Sequence, residues 1–205
     1  MKTLPTRILS LDAATTACSV ALWVEGRIVA RRFEVMNRGQ SEALLPMVAA
    51  VLQESGIDKP DLIAVTVGPG AFTGIRIGLA AARGLGLAWN IPVAGISTTL
   101  ALAATLPPHV RQGHSIIVVL DSKREDRWVQ VFDEHLHALT PPQSVMPDQI
   151  RAMISGPAIV LDDPTLYTDA SIVAQLAAQG WENGSTLPPQ PLYLRPADVT
   201  LPKSL

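Results

Sequence analysis

Cysteine is nearly absent. Cys18 is the single thiol in 205 residues, which excludes an internal disulfide. It sits in a strand-like run and reads as a small core residue, and one free thiol fits a reducing compartment. Charge of one sign is lacking too. Sixteen basic and eighteen acidic side chains leave a net charge of −2. That balance excludes the broad electropositive surface of an autonomous nucleic-acid binder and leaves room only for a local basic patch. No run reaches the roughly 18–20 uninterrupted apolar residues of a membrane helix. The strongest candidate, Ile75 to Trp89, is too short and carries Arg76 and Arg83. A cytoplasmic chain with no membrane contact is the expectation. Near the start, Lys2 and Arg7 precede an apolar run, but Asp12 and Thr15-Thr16 interrupt it, so a strand is expected there rather than a signal peptide.

Several catalytic signatures are missing. No Lys-Ser/Thr pair completes a Walker loop after the glycines at 68–74, and no HExxH or Gly-x-Ser-x-Gly occurs. The histidines are His109, His114, His135 and His137. The pair His135-x-His137 falls in a predicted turn without a third ligand nearby, so it reads as solvated and no metal is expected. Ser19, Thr15 and Cys18 lie near Asp12 but have no histidine close in sequence. No catalytic residue is assigned.

What is present is an α/β pattern. Hydrophobic residues make up 48% and charged residues 17%, enough for one large or two small domains with real cores. Strands are expected at Ile8–Asp12, Ala17–Val24, Arg27–Val35, Leu62–Val67 and Ile91–Ile96. A helix over Ser41–Glu54 follows from Leu44, Leu45, Val48, Val51 and Leu52 at helical spacing. Its start stays open between a Ser41 cap and a first-turn Pro46. A further apolar helix is expected over Ser97–Leu106, ended by Pro107-Pro108.

The most informative stretch is Gly68-Pro69-Gly70-Ala71-Phe72-Thr73-Gly74-Ile75-Arg76-Ile77-Gly78. It joins a strand to the helix Thr73–Trp89, whose only charges are Arg76 and Arg83. That helix has no charged stripe, so burial on every side is expected, by this chain or by a partner. Gly78, Gly84 and Gly86 each cost about 1 kcal/mol relative to alanine inside a helix, which suggests close backbone approach.

The second half repeats the first. Ser115–Asp121 and Arg127–Asp133 are strands with a turn at Glu134-His135, echoing the first two strands at an offset of 109 positions: Asp12 to Asp121, Val20 to Val129, Leu22 to Val131. A duplicated three-strand meander would set Asp12 and Asp121 across one cleft. Ala158–Leu161 is expected as a strand and Ser171–Gln179 as a helix. From Trp181 onward a proline-rich tail (188, 189, 191, 196, 202) is expected to hug the surface. The chain divides into lobes 1–106 and 107–205, the second one smaller.

These features resemble the acetate-kinase, Hsp70 and actin superfamily, with its two ribonuclease-H-like lobes. Within it, Ile8-Leu9-Ser10-Leu11-Asp12-Ala13-Ala14-Thr15-Thr16-Ala17-Cys18-Ser19, Ser41-Glu42-Ala43-Leu44-Leu45-Pro46, the 68–78 segment and Gly95-Ile96-Ser97-Thr98 resemble the TsaB (YeaZ) family. Pro191-Leu192-Tyr193-Leu194-Arg195 is similar to that family's tail. Gln40, Ala71 and Trp128 depart from its pattern. The resemblance implies a non-catalytic subunit of the bacterial apparatus that makes threonylcarbamoyladenosine at position 37 of tRNAs reading codons that begin with A. It implies docking on the transferase TsaD through the two helices, with TsaE and TsaC as functional partners and tRNA met only within the complex; an exposed apolar helix pair would also favour a homodimer when alone.

The expected docking residues are Leu44, Leu45, Val48, Val51, Leu52, Ile75, Arg76, Gly78, Leu79, Ala82, Arg83 and Gly86. Ala82→Arg is expected to leave the fold intact and abolish docking. A vestigial nucleotide cleft is expected at Asp12, Thr15, Thr16, Gly68, Gly70 and Asp121, with no cofactor. The first loop, 13–16, has no glycine for phosphates, and Lys123, Arg124 and Arg127 form a small basic cluster diluted by Glu125 and Asp126. The competing reading is an ATPase or phosphotransferase holding Mg-nucleotide between Asp12 and Asp121.

Overall fold

In the computed structural model, residues 5–194 are described. Lys2, Arg195, Pro196 and Pro202 lie outside that range. The first sheet is built from β1 (Arg7–Asp12), β2 (Ala17–Val24) and β3 (Arg27–Val35), then, after helix α1 (Gln40–Ser55), from β4 (Leu62–Gly68) and, after α2 (Phe72–Trp89), from β5 (Val93–Ser97). Its order is β3-β2-β1-β4-β5. The first three strands form an antiparallel meander, and β4 and β5 add in parallel through helical crossovers.

Alternation along β1 decides what each face carries. Leu9 and Leu11 face α1 and α2, in a core with Leu44, Val48, Val51, Ile75, Leu79 and Ala82. Ile8 is on the opposite face, in a core with Val173, Ala174 and Ala177. Those last residues belong to the final helix, so the late chain returns to cover the early sheet.

Two short helices, α3 (Thr98–Ala103) and α4 (Pro108–Arg111), lead to the second sheet. It contains β6 (Ser115–Asp121), β7 (Arg127–Phe132), β8 (Gln143–Val145) and, after α5 (Pro147–Ile150) and a 3-10 turn, β9 (Ala158–Leu161), in the order β8-β7-β6-β9. The polarity repeats that of β3-β2-β1-β4, as a duplicated meander requires. The constant offset does not survive in register. Six residues separate the paired positions Asp12 and Ser19, but five separate Asp121 and Arg127. Val20 therefore corresponds in space to Trp128, not Val129.

Other expectations shift at their edges. Helix α1 begins at Gln40 after Gly39, with no side-chain cap, and Pro46 lies inside it, so neither proposed start holds. The expected helix over Ser97–Leu106 stops at Ala103. Helix α6 (Ala170–Asn183) runs past the expected start of the tail and ends at Gly184 with φ 75°. Beyond it the chain straps back over the first lobe. Leu187 exchanges two backbone hydrogen bonds with Gly95 on the edge strand β5, and the Leu192 amide donates to the Val67 carbonyl. Among the described residues no helix is long and apolar enough to cross a membrane. Cys18 is buried, and burial pushes its thiol up to about 11.

Candidate functional site

Residues from both halves of the chain line a cleft of about 690 Å³. Its first wall comes from the β1–β2 loop (Ala14, Thr15, Thr16), the turn into α2 (Pro69 to Phe72, Ile75, Arg76) and the tail (Leu192 to Leu194). Its second wall comes from the end of β6 and its loop (Asp121 to Arg124), Arg127, Trp128 and Asp162 to Pro164. Of the residues expected at a nucleotide cleft, Thr15, Thr16, Gly70 and Asp121 line it. Asp12 and Gly68 do not.

Asp12 is fully enclosed. It lies on the Ile8 face of the sheet, under the entry to α6. Its Oδ1 accepts from the Thr66 hydroxyl at 2.6 Å and the Ala14 amide at 3.3 Å, and its Oδ2 accepts from the Thr168 hydroxyl. Burial raises its pKa above the usual carboxylate range, and the two threonine hydrogen bonds oppose that rise. The neighbouring contacts pin the same segment. Ser19 Oγ accepts from the Ala170 amide at 2.9 Å, Ser10 donates to the Ala170 carbonyl at 2.6 Å, and Asp169 pairs with Arg31.

The glycine turn is also occupied by the protein itself. A Cβ at Gly70 would lie 2.3 Å from the Ala14 carbonyl oxygen, and one at Gly74 would lie 1.9 Å from that of Ala13. The Ala71 amide donates to the Ala14 carbonyl at 2.8 Å. These glycines admit the backbone of the β1–β2 loop, where a phosphate cradle would admit a ligand.

Asp121 takes hydrogen bonds from the Lys123 backbone amide and Nζ, each at 2.9 Å, and its Lys123 partner holds its carboxyl below the usual range. A Mg-nucleotide does not fit this set. One carboxylate is sealed in the core, the other is tied to its own loop, and the cradle is filled. Among the described residues no group of three or more His, Cys, Asp or Glu is arranged to hold a metal ion. His137 Nδ1 lies 3.0 Å from Asp133 Oδ2 on an exposed turn.

The cleft mouth holds what the sequence reading missed. The Arg76 guanidinium lies 3.5 Å from the centre of the Phe72 ring, and its Nε donates to the Tyr193 hydroxyl at 3.0 Å. Trp128 Nε1 and Thr15 Oγ1 are buried without hydrogen-bond partners among the described residues. In the sequence Thr15 was expected at a cleft, Arg76 at a docking face, and Trp128 only as a departure from the family pattern. The convergence of residues 72, 76, 128 and 193 required the fold.

The expected docking residues divide by helix face. Leu44, Val48, Val51, Ile75, Gly78, Leu79, Ala82 and Gly86 point inward and are buried by this chain's own sheet. Leu52 packs against the same core in part. Leu45, Arg76 and Arg83 are exposed. Helix α2 is thus not enclosed by its own lobe: Ala80, Gly84 and Ala88 are exposed with Arg83, and Leu87 is 85% exposed. Because Ala82 is fully buried, Ala82→Arg would disrupt the core, contrary to the expectation above. Gly86 and Gly84 differ in the same way. A Cβ at Gly86 would lie 2.5 Å from Val93 Cγ2, whereas a Cβ at Gly84 meets nothing within 4 Å.

A family model described as TsaD, tRNA N6-adenosine threonylcarbamoyltransferase, matches residues 33–153. The chain is 46% identical over 99 residues to the tRNA threonylcarbamoyladenosine biosynthesis protein TsaB of Escherichia coli, covering 47% of this chain and 42% of that one. It is 30% identical over 205 residues to an uncharacterized protein of Mycobacterium tuberculosis, covering 94% and 93%. YeaZ from Pseudomonas aeruginosa superposes with a TM-score of 0.78 at 28% identity, covering 92% of this chain and 100% of that one. The matched segments span about half the length of the Escherichia coli and Haemophilus influenzae TsaB relatives, 42% and 50%.

Proposed function

Because the chain belongs to the TsaB (YeaZ) family, we propose that it acts in the formation of threonylcarbamoyladenosine in tRNA as a non-catalytic subunit. It docks on a transferase of the TsaD type through the outer faces of α1 and α2 and holds that partner in its active conformer. The observation that carries this reading is Gly84. It lies in the interior of an 18-residue helix, where glycine costs about 1 kcal/mol, and nothing in its own lobe needs the space. A second helix approaching at close backbone distance does need it. Leu87 and Leu45, 85% and 52% exposed, supply apolar area on either side. Asp12 is enclosed outside the cleft and holds the fold, which supports a role without nucleotide turnover. The same face would carry a homodimer in the absence of the partner.

The test uses Ala80→Arg and Leu87→Glu, both on the exposed face. Each variant is expected to keep the far-ultraviolet circular dichroism of the parent and to lose co-elution with the purified transferase in size-exclusion chromatography. Folded variants that co-elute as the parent does would overturn the docking reading.

A further inference from the structure

The cleft mouth gathers cations and flat rings, of which only Arg76 also belongs to the expected docking residues. Arg76 comes from the first lobe and Arg127 from the second, and both line one cavity. Neither forms an ion pair with a carboxylate among the described residues. Arg76 gives only its Nε, to the Tyr193 hydroxyl, and Arg127 gives its Nη1 to the carbonyls of Arg124 and Asp126 at 3.1 and 3.0 Å. The same cavity is lined by Phe72 and Tyr193, 57% and 52% exposed, and by the half-buried Trp128. Guanidinium planes and exposed aromatic rings are what unstacked bases and phosphodiesters bind.

We propose that the mouth of this cleft is a contact site for single-stranded RNA, with Arg76 and Arg127 on phosphates and an unstacked base against the side chains of Tyr193 and Trp128. RNA as the ligand rests on the tRNA-pathway reading above. The chemistry of the wall favours it over a free nucleoside triphosphate. Three carboxylates, Asp121, Asp162 and Asp163, line the same cavity and repel a multiply charged triphosphate. A phosphodiester carries a single charge and needs no metal ion. Asp162, Asp163 and Asp121, the last the strand partner of Arg127, line the second wall and limit the contact to a few phosphates. With a net charge of −2 for the chain, the contact is local and supplements whatever the partner provides.

The experiment is fluorescence anisotropy of a labelled tRNA anticodon stem–loop titrated with the full chain in EDTA. Saturable binding is expected, weakening roughly ten-fold between about 50 and 200 mM salt if two or three phosphates are neutralised. Arg76→Gln and Arg127→Gln each weaken binding several-fold and flatten the salt slope by about 0.7. Trp128→Phe removes most of the RNA-dependent change in tryptophan fluorescence. No binding at low salt, equal binding by the double arginine variant, or displacement of the RNA by Mg-ATP in a parallel titration without EDTA would each overturn the proposal. Co-elution with the transferase is measured on the same preparations. If the partner is captured and RNA is not, this inference alone fails; if RNA binds and the partner does not, the docking reading alone fails.

Discussion

Thr168 donates its hydroxyl to Oδ2 of Asp12 across 156 residues of chain, inside a core where both side chains are fully enclosed. The contact joins the first strand of one sheet to the segment that returns from the other. Residues 162–164, just upstream of Thr168, form part of the cleft's second wall. Asp12 therefore positions that wall and the start of α6, although its place at the end of β1 suggested a metal-holding carboxylate.

Replacing Asp12 separates the two roles. Asp12→Ala leaves the Thr66 and Thr168 hydroxyls buried without an acceptor and is expected to lose about 2–3 kcal/mol. Asp12→Asn keeps an acceptor and a neutral group and is expected to lose less than about 1 kcal/mol at neutral pH. The two also differ in pH dependence. Burial raises the folded-state pKa of Asp12, so the folded chain binds this proton first and the parent gains stability as pH falls from neutral toward the ordinary carboxylate value. Asp12→Asn lacks that gain. Urea denaturation of parent and variant across this range measures the difference.

Gly84 and Gly86, two residues apart, are expected to respond in opposite directions to alanine. Gly84→Ala fills open space on the outer face and should stabilise the isolated chain by up to about 1 kcal/mol. Gly86→Ala forces a Cβ to within 2.5 Å of Val93 and 3.2 Å of the Ile91 carbonyl, and should destabilise it by about 1–3 kcal/mol. Thermal unfolding of the two variants reads both signs.

The turn glycines test what fills the cradle. Gly74→Ala sets a methyl 1.9 Å from the Ala13 carbonyl oxygen, which is backbone and cannot swing away as a side-chain end would. A loss of about 3 kcal/mol is expected, seen as a lowered urea midpoint. A variant as stable as the parent would mean that the β1–β2 loop does not rest on this turn.

Much of the fold was legible because its signals are local. Alternation marks β1 and β2, and the 3.6-residue period marks α1. The meander repeat announced two sheets of like polarity. What stayed hidden depends on distant chain. No local pattern links Asp12 to Thr168, and no period marks β8 or α5, only three and four residues long. Helix α2 misled for another reason. Lack of charge indicates compatibility with burial, but its outer face of Ala80, Gly84, Leu87 and Ala88 is exposed in the single chain. The cleft mouth drew on three separate segments, so Arg76 read only as part of a helix face.

Acid titration isolates the clamp at the first strand's entrance. Asp61 accepts from the Arg7 side chain at 2.6 Å and from the amides of Thr6 and Arg7 at 3.1 and 2.9 Å, and Arg7 leads the causes that hold its pKa at about 2. The folded value lies below the unfolded one, so the unfolded chain takes this proton first. The stabilisation is complete above about pH 4 and is lost as pH falls toward 2. Both partners are partly exposed, so solvent screening reduces the contribution to about 1 kcal/mol. Asp61→Asn should therefore destabilise the chain by that amount at neutral pH and leave it equal to the parent near pH 2. An unchanged gap between the two proteins over this range would show that the hydrogen-bond geometry matters here and the charge does not.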